Sequence, residues 1–137
     1  MKILVNHPPR TVITCLAVVC SIVTVDAANP TSAKVAFLRD VAPILLQRCS
    51  GCHGRRVSRG GYRLHDFASL VQAGESGEMP VVAGKPEASE LYRRLIEKDP
   101  DTRMPREDDA LSATEIGLVR SWIAAGANFD GTDPRVP

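Results

Sequence analysis

The sequence predicts a small all-α domain. Apolar residues recur at the three-to-four-residue spacing of a helix in three segments, which cover residues 34–48, 89–98 and 115–125. No stretch of useful length alternates apolar and polar residues as a half-buried β-strand would. The third observation is the run Cys49-Ser50-Gly51-Cys52-His53, which lies between the first two helical segments. We therefore expect short helices arranged around the group that this run binds.

The run has the C-x-x-C-H pattern that attaches haem covalently. The thiols of Cys49 and Cys52 can form thioethers to the two vinyl groups of one porphyrin, and His53 then supplies an axial nitrogen to the iron. A thioredoxin-like redox pair would follow a strand of a βαβ unit, and no such strand is visible. A zinc site would need Cys49, Cys52, His53 and His65, but the adjacent Cys52 and His53 cannot easily face one tetrahedral ion. The run therefore predicts one covalently bound haem c.

Residues 1–28 have the composition of a secretory signal peptide. Basic residues stand near the start, no acid precedes Asp26, and residues 11–25 form an apolar run. Small residues predict cleavage after Ala27 or Ala28. The run is shorter than the roughly 20 apolar residues of a membrane span, although an uncleaved anchor is an alternative. We expect a periplasmic or otherwise exported protein that contacts the membrane only if this segment is retained.

Cleavage would change the cysteine count. Of the 4 cysteines, Cys15 and Cys20 would leave with the signal, so Cys49 and Cys52 would remain. No pair would then be left for a structural disulfide. Acylation of Cys20 as a lipoprotein is a further alternative, but the Ala-Val-Val before it lacks the usual leucine and small residues.

The segment 34–48 predicts the helix that delivers Cys49, with Thr31 or Ser32 as its cap. Pro43 should kink this helix or split it near Ala42. Two apolar stripes run side by side along it, and we expect both to pack. The first contains Val35, Leu38, Ala42, Leu45 and Leu46, and the second contains Phe37, Val41 and Ile44.

Arginines crowd both sides of the motif, and glycines after His53 make the following stretch a loop. These arginines are Arg48, Arg55, Arg56, Arg59 and Arg63. We expect them either to dock an acidic redox partner or to hold the haem propionates, and an ordinary solvated loop is the alternative. The whole chain carries 17 basic and 16 acidic residues, a balance that argues against nucleic acid as a partner.

Three further helices follow the loop, each marked by its cap. Their predicted spans are 67–73 after Asp66, 85–98 with Pro86 in the first turn, and a segment from the Ser112–Glu115 capping box to about Ala125, with Gly126 as its stop. Leu91, Leu95 and Ile96 share one face of the second of these. We expect the polar, proline-containing tail to be loosely ordered.

The second axial ligand of the iron has four candidates: Met104, Met79, His65, or no residue at all. Met104 lies 51 residues after His53, which leaves enough chain to cross the porphyrin and return on its far face. Pro105 would stiffen that segment. Met79 is also followed by a proline but lies closer to His53, and His65 closer still. The chain path favours Met104, with Met79 as its rival.

From Phe37 to Phe129 the sequence resembles the planctomycete-type cytochrome c domain, a branch of the class I cytochrome c fold. The matching pieces, in order, are Asp40-Val41-Ala42-Pro43-Ile44-Leu45, Cys49-Ser50-Gly51-Cys52-His53-Gly54, Gly60-Gly61-Tyr62-Arg63-Leu64, Ala83-Gly84-Lys85-Pro86-Glu87, Ser89-Glu90-Leu91, Met104-Pro105, Leu111-Ser112, Glu115-Ile116 and Trp122-Ile123-Ala124-Ala125-Gly126-Ala127. The chain departs from the family at Arg106, where a second proline is common, and at Met79, where methionine is unusual.

The resemblance implies thioether anchors at Cys49 and Cys52 and axial ligands at His53 and Met104. Together with the composition of the N-terminus, it divides the chain into a signal peptide (1–28), a cytochrome domain (29–130) and a short tail (131–137). It also implies an electron-transfer protein rather than an enzyme, either as a separate carrier or as a subunit of an oxidoreductase. The alternatives are a haem enzyme or a gas or redox sensor with a displaceable sixth ligand, and a metal-binding or structural domain without haem.

Overall fold

A computed structural model describes residues 34–106 and 108–136. The domain consists of short helices joined by loops. Within these ranges there is no β-strand, and the one pairing of sheet type is an isolated bridge between His53 and Ser58. The described part of the chain is therefore all-α, as predicted. The α-helices are α1 (Ala42–Arg48), α2 (Ser50–His53), α3 (Phe67–Leu70), α4 (Glu90–Ile96) and α5 (Ala113–Ala124).

The predicted signal peptide and the predicted cap at Thr31 or Ser32 lie outside the described residues. In the ranges that the structure covers, no helix combines the length and the apolar character needed to cross a membrane.

The first helical segment is split where Pro43 predicts. A π-helical turn, Phe37–Val41, precedes α1, and Pro43 lies in the first turn of α1, where a missing N–H breaks no helical hydrogen bond. The buried side chains are those of the second stripe together with Leu45, namely Phe37, Val41, Ile44 and Leu45.

The placement of Leu38 and Leu46 in the core was wrong, since their side chains are 49% and 51% exposed. The other residues of the first stripe do pack: Leu45 is buried, and Val35 and Ala42 are partly buried against the core. The second stripe, which contains Phe37, is buried throughout. Phe37 packs against Phe67 with ring centroids 4.9 Å apart and against Trp122 at 5.2 Å.

An aromatic cluster joins the start of the domain to its end. Phe129 completes it, with its ring centroid 4.8 Å from that of Phe67. Trp122 is almost fully buried, and its indole Nε1–H donates to the Asn128 carbonyl oxygen at 2.9 Å. Because the indole nitrogen has a partner, burying the ring leaves no donor unsatisfied.

Helix α5 begins and ends as the sequence predicts. The Ser112 hydroxyl accepts from the Glu115 amide, and the Glu115 carboxylate accepts from the Ser112 amide, which completes the capping box. The helix stops before Gly126, whose φ of 104° is a conformation that a residue with a side chain rarely adopts. Helix α5 packs against the π-helical turn and against α4.

The middle helices are shorter than predicted. Asp66 does cap α3 through the Ser69 amide, at 2.7 Å, but α3 ends at Leu70. A 3-10 turn at Pro86–Ala88 precedes α4, and Ser89 lies fully buried between them. On α4, Leu95 is buried while Ile96 is 48% exposed, so Ile96 was wrongly placed on the packed face.

The C-terminal tail, which we expected to be loosely ordered, is bonded to the domain at Pro134. Its carbonyl oxygen accepts from the Ala68 amide at 2.9 Å. The tail therefore contacts α3, a contact that its polar composition did not predict.

Candidate cofactor site

The cysteine motif forms a tight turn at the end of α1. The Cys49 amide donates to the Leu45 carbonyl at 2.9 Å, and the His53 amide donates to the Cys49 carbonyl at 2.9 Å. The Ser50 hydroxyl donates back to the Leu46 carbonyl at 2.6 Å. These bonds continue the helical path from α1 into α2, so the last residues of α1 fix the orientation of the motif.

One cavity of about 670 Å³ lies against the motif. Its volume falls within the ~300–1,000 Å³ range of pockets that bind small molecules and cofactors. Cys49, Cys52 and His53 line it, and so does Met104. Apolar side chains from α4 and from the loop after the motif contribute to its walls: Leu64, Leu91 and Leu95.

The two rivals of Met104 are not among the residues that line this cavity. The Met79 side chain is 50% exposed to solvent. The His65 Nε2 lies 3.1 Å from a carboxylate oxygen of Asp66. The structure thus brings Met104 to the cavity that holds the motif, and does not bring Met79 or His65 there.

The His53 imidazole is held by the loop that follows it. Its ring packs edge-on against Tyr62 with centroids 5.4 Å apart, and its carbonyl oxygen accepts from the Leu64 amide at 2.8 Å. The Tyr62 hydroxyl donates to the Leu70 carbonyl at 2.9 Å, and burial raises the pKa of this phenol. The Nδ1 atom of His53 is buried, and no described residue forms a hydrogen bond with it.

Cys49 and Cys52 are free thiols. Burial raises the pKa of Cys49 to about 11, so an unmodified thiol here stays protonated at neutral pH. A redox-active C-x-x-C pair works through a thiolate whose pKa is lowered, the opposite shift. Thiol–disulfide exchange is therefore a poor fit to this site.

Met104 lies in a segment without regular secondary structure that is fastened to α4. The Met104 amide donates to the Arg94 carbonyl at 2.9 Å, and the Arg94 Nη1 donates to the Thr102 carbonyl at 3.1 Å. Arg94 is itself held by the Glu90 carboxylate at 2.6 Å. Further along, the Arg106 Nε donates to the Asp101 carbonyl at 2.6 Å.

The arginines around the motif divide into two groups. Arg48 and Arg59 line the cavity, whereas Arg55, Arg56 and Arg63 are exposed and do not line it. Sequence reasoning missed two further arginines of the cavity wall, Arg94 and Arg106. Arg94 lies one helical turn after Glu90 on α4, and Arg106 follows Met104-Pro105, so helical spacing and sequence proximity were the available signals.

The residues present fit a covalently bound haem. Two free thiols, an imidazole and a thioether line one cavity large enough for a cofactor, and these are the groups that attach and ligate a haem of the c type. In the described ranges, no three Cys, His, Asp or Glu side chains are grouped so that they could hold a metal ion by themselves. Haem needs no such group, because the porphyrin supplies four of the ligands of its iron.

The chain was compared with known protein families, curated proteins and solved structures. Residues 49–108 match the family model described as Planctomycete cytochrome C. No curated protein and no solved structure matches the chain.

Proposed function

Residues 49–108 carry a planctomycete-type cytochrome c domain, and on this premise we propose that the protein is an exported mono-haem c-type cytochrome that transfers electrons. The cofactor is one haem c, attached through Cys49 and Cys52 and ligated by His53 and Met104. The main support for the proposal is that these four side chains line the same cavity.

The residues of the site have separate tasks. Haem, when bound, supplies an iron that accepts and returns one electron. Cys49 and Cys52 hold the group covalently, and the packing of Tyr62 against His53 orients the imidazole. The backbone bond between Met104 and Arg94 sets the position of the thioether, a soft ligand that favours ferrous iron relative to a second histidine.

A carrier of electrons needs a surface at which partners dock. Arg55, Arg56 and Arg63 are exposed beside the motif, and we assign them to contact with an acidic redox partner. Arg59 lines the cavity, and we assign it to the haem propionates. Residues 1–28, by their composition, direct export to the periplasm or an equivalent compartment.

The axial ligands are tested by a pair of methionine variants of the exported protein. Met104→Ala should abolish the weak red absorption band of the oxidised form, because that band reports methionine bound to ferric haem. Met79→Ala removes the same atoms from a half-exposed position outside the cavity wall and should leave the band intact. If the band survives in Met104→Ala and disappears in Met79→Ala, Met79 is the ligand and the assignment is wrong.

Carbon monoxide separates electron transfer from haem catalysis or gas sensing. A ferrous iron with both axial positions filled should bind it weakly, and Met104→Ala should bind it readily. Fast and tight binding by the unaltered protein would favour the enzyme or sensor instead. Mass spectrometry of protein made with haem-attachment machinery should show the increment of one haem, and an unmodified mass would refute the cofactor itself.

A further inference from the structure

One arginine connects the two sides of the cavity. Arg48 is the last residue of α1, directly before Cys49, and lines the cavity. Its Nη2 donates to the Asp109 carbonyl oxygen at 2.7 Å, and its Nη1 lies 3.5 Å from a carboxylate oxygen of Asp108. Asp108 and Asp109 belong to the segment that follows Met104. The Arg48 side chain thus ties the end of α1, directly before Cys49, to the segment that carries Met104 and continues to Asp109, called the Met104 segment below.

The two contacts of Arg48 differ in strength. Its side chain is 21% exposed, and a short hydrogen bond from a cation to a carbonyl is strong in such surroundings. The Asp108 carboxylate is 59% exposed, and a long pair with so exposed an acid contributes little. The bond to the Asp109 carbonyl is therefore the effective part of the connection.

Hydrogen bonds hold the chain on both sides of Met104. On one side, its own amide is bonded to Arg94 of α4. On the other side, the Arg103 Nη2 donates to the Asp108 carbonyl at 3.1 Å, and Arg48 holds the same stretch to α1. Since no helix stiffens residues 99–106, these bonds decide how closely the thioether approaches the cysteine side of the cavity.

We propose that Arg48 is a positioning residue that keeps the Met104 segment closed, and so limits access of an external ligand to the sixth position of the iron. The proposal rests on the proposed function, because it takes Met104 as the ligand that is displaced. It gives Arg48 a task distinct from partner docking and from propionate binding. Both terminal nitrogens of its guanidinium face the Met104 segment.

The test is carbon monoxide binding to the reduced, haem-loaded protein. In Arg48→Gln the apparent affinity should rise about 5- to 30-fold, the change that loss of one charge-assisted hydrogen bond produces in an open–closed equilibrium. The apparent affinity for carbon monoxide is proportional to the fraction of molecules in which the Met104 segment is open. The value should lie between those of the unaltered protein and Met104→Ala, and the red band of the oxidised form should weaken.

Two variants separate this role from charge and from general stability. Arg48→Lys keeps the charge, but its shorter side chain places no nitrogen at the position of Nη2, so it should lose the bond to the Asp109 carbonyl and its affinity should also rise. Arg120→Gln removes an exposed arginine whose Nη2 lies 3.0 Å from a carboxylate oxygen of Glu87. Neither residue lines the cavity, so the affinity for carbon monoxide should not change. A purely structural Arg48 would lower the urea midpoint without changing carbon monoxide binding, and that result would overturn the proposal.

The outcomes distinguish this proposal from the function on which it rests. If Met104→Ala keeps the red band, the ligand assignment fails whatever Arg48 does. If Met104→Ala loses the band while both Arg48 variants bind carbon monoxide as the unaltered protein does, the ligand stands and the role of Arg48 is refuted. Should Arg48→Gln fail to fold, Arg48→Lys alone decides.

Discussion

Gly54, directly after His53, offers a sharp test of how the motif is built. Gly54 is buried, and a Cβ placed there would lie less than 3.0 Å from the Ser50 carbonyl oxygen, a separation that real Cβ atoms essentially never show. The obstacle is backbone rather than a flexible side chain. Gly54→Ala can therefore be accommodated only if the α2 turn shifts, and His53 shifts with it.

The expected cost is that of an overpacked interior, about 1–3 kcal/mol. With the urea dependence of small proteins, ~1–3 kcal/mol per molar, the unfolding midpoint should fall by about 1 M. The measurement is urea unfolding of the haem-loaded protein, followed by absorbance and by tryptophan fluorescence from Trp122, the sole tryptophan. Displacement of His53 should also lower the fraction of protein that acquires haem.

Gly117→Ala is the matched control. Gly117 lies inside α5 with open space around its virtual Cβ, so alanine there should stabilise the helix by about 0.5–1 kcal/mol. The two glycine-to-alanine changes should thus have opposite signs. An unchanged midpoint for Gly54→Ala would show that α2 adjusts freely, and the argument that this turn fixes His53 would fail.

Two further predictions concern residues away from the cavity. Ser89→Ala removes the hydroxyl that accepts a hydrogen bond from the Val82 amide at 2.8 Å. The free energy of unfolding, measured in urea, should fall by about 1–3 kcal/mol because the amide is left without a partner. An unchanged midpoint would mean that water replaces the hydroxyl. Asp40 has its pKa lowered to about 2 by hydrogen bonds from the Arg39 side chain and the Ala36 amide. The ionised carboxylate stabilises the fold fully above the ordinary pKa of 3.8, and this contribution is lost as the pH falls through about 2. The free energy of unfolding of Asp40→Asn should therefore decrease less between pH 4 and pH 2 than that of the unaltered protein. Identical acid unfolding curves would contradict this.

Local signals predicted local structure well. The Ser112–Glu115 spacing predicts a capping box, Asp66 predicts a helix start, and Pro43 predicts a split helix, and the structure confirms all three. Each of these features is decided by residues within one or two turns of chain. The C-x-x-C-H run is local in the same sense, because its geometry follows from the end of α1.

Features that depend on distant contacts were not predictable from one sequence. Leu38 lies on an apolar stripe but is half exposed, because contacts with Phe67 and Trp122 select the neighbouring stripe. Ser89 is fully buried, because the Val82 amide and the Lys85 carbonyl approach its hydroxyl. No periodicity encodes such approaches, which arise only when the loop folds back.

The aromatic cluster also determines where this domain can be joined to others. The Leu38 amide donates to the Asp130 carboxylate at 2.9 Å, next to Phe37 and Phe129, so the two ends of the folded region meet at one place. None of the four rings lines the cavity. Chain ends that lie together let a domain be inserted or fused with little strain. The domain can therefore be grafted into a longer polypeptide as a module through its aromatic side, while the rim of the cavity stays uncovered.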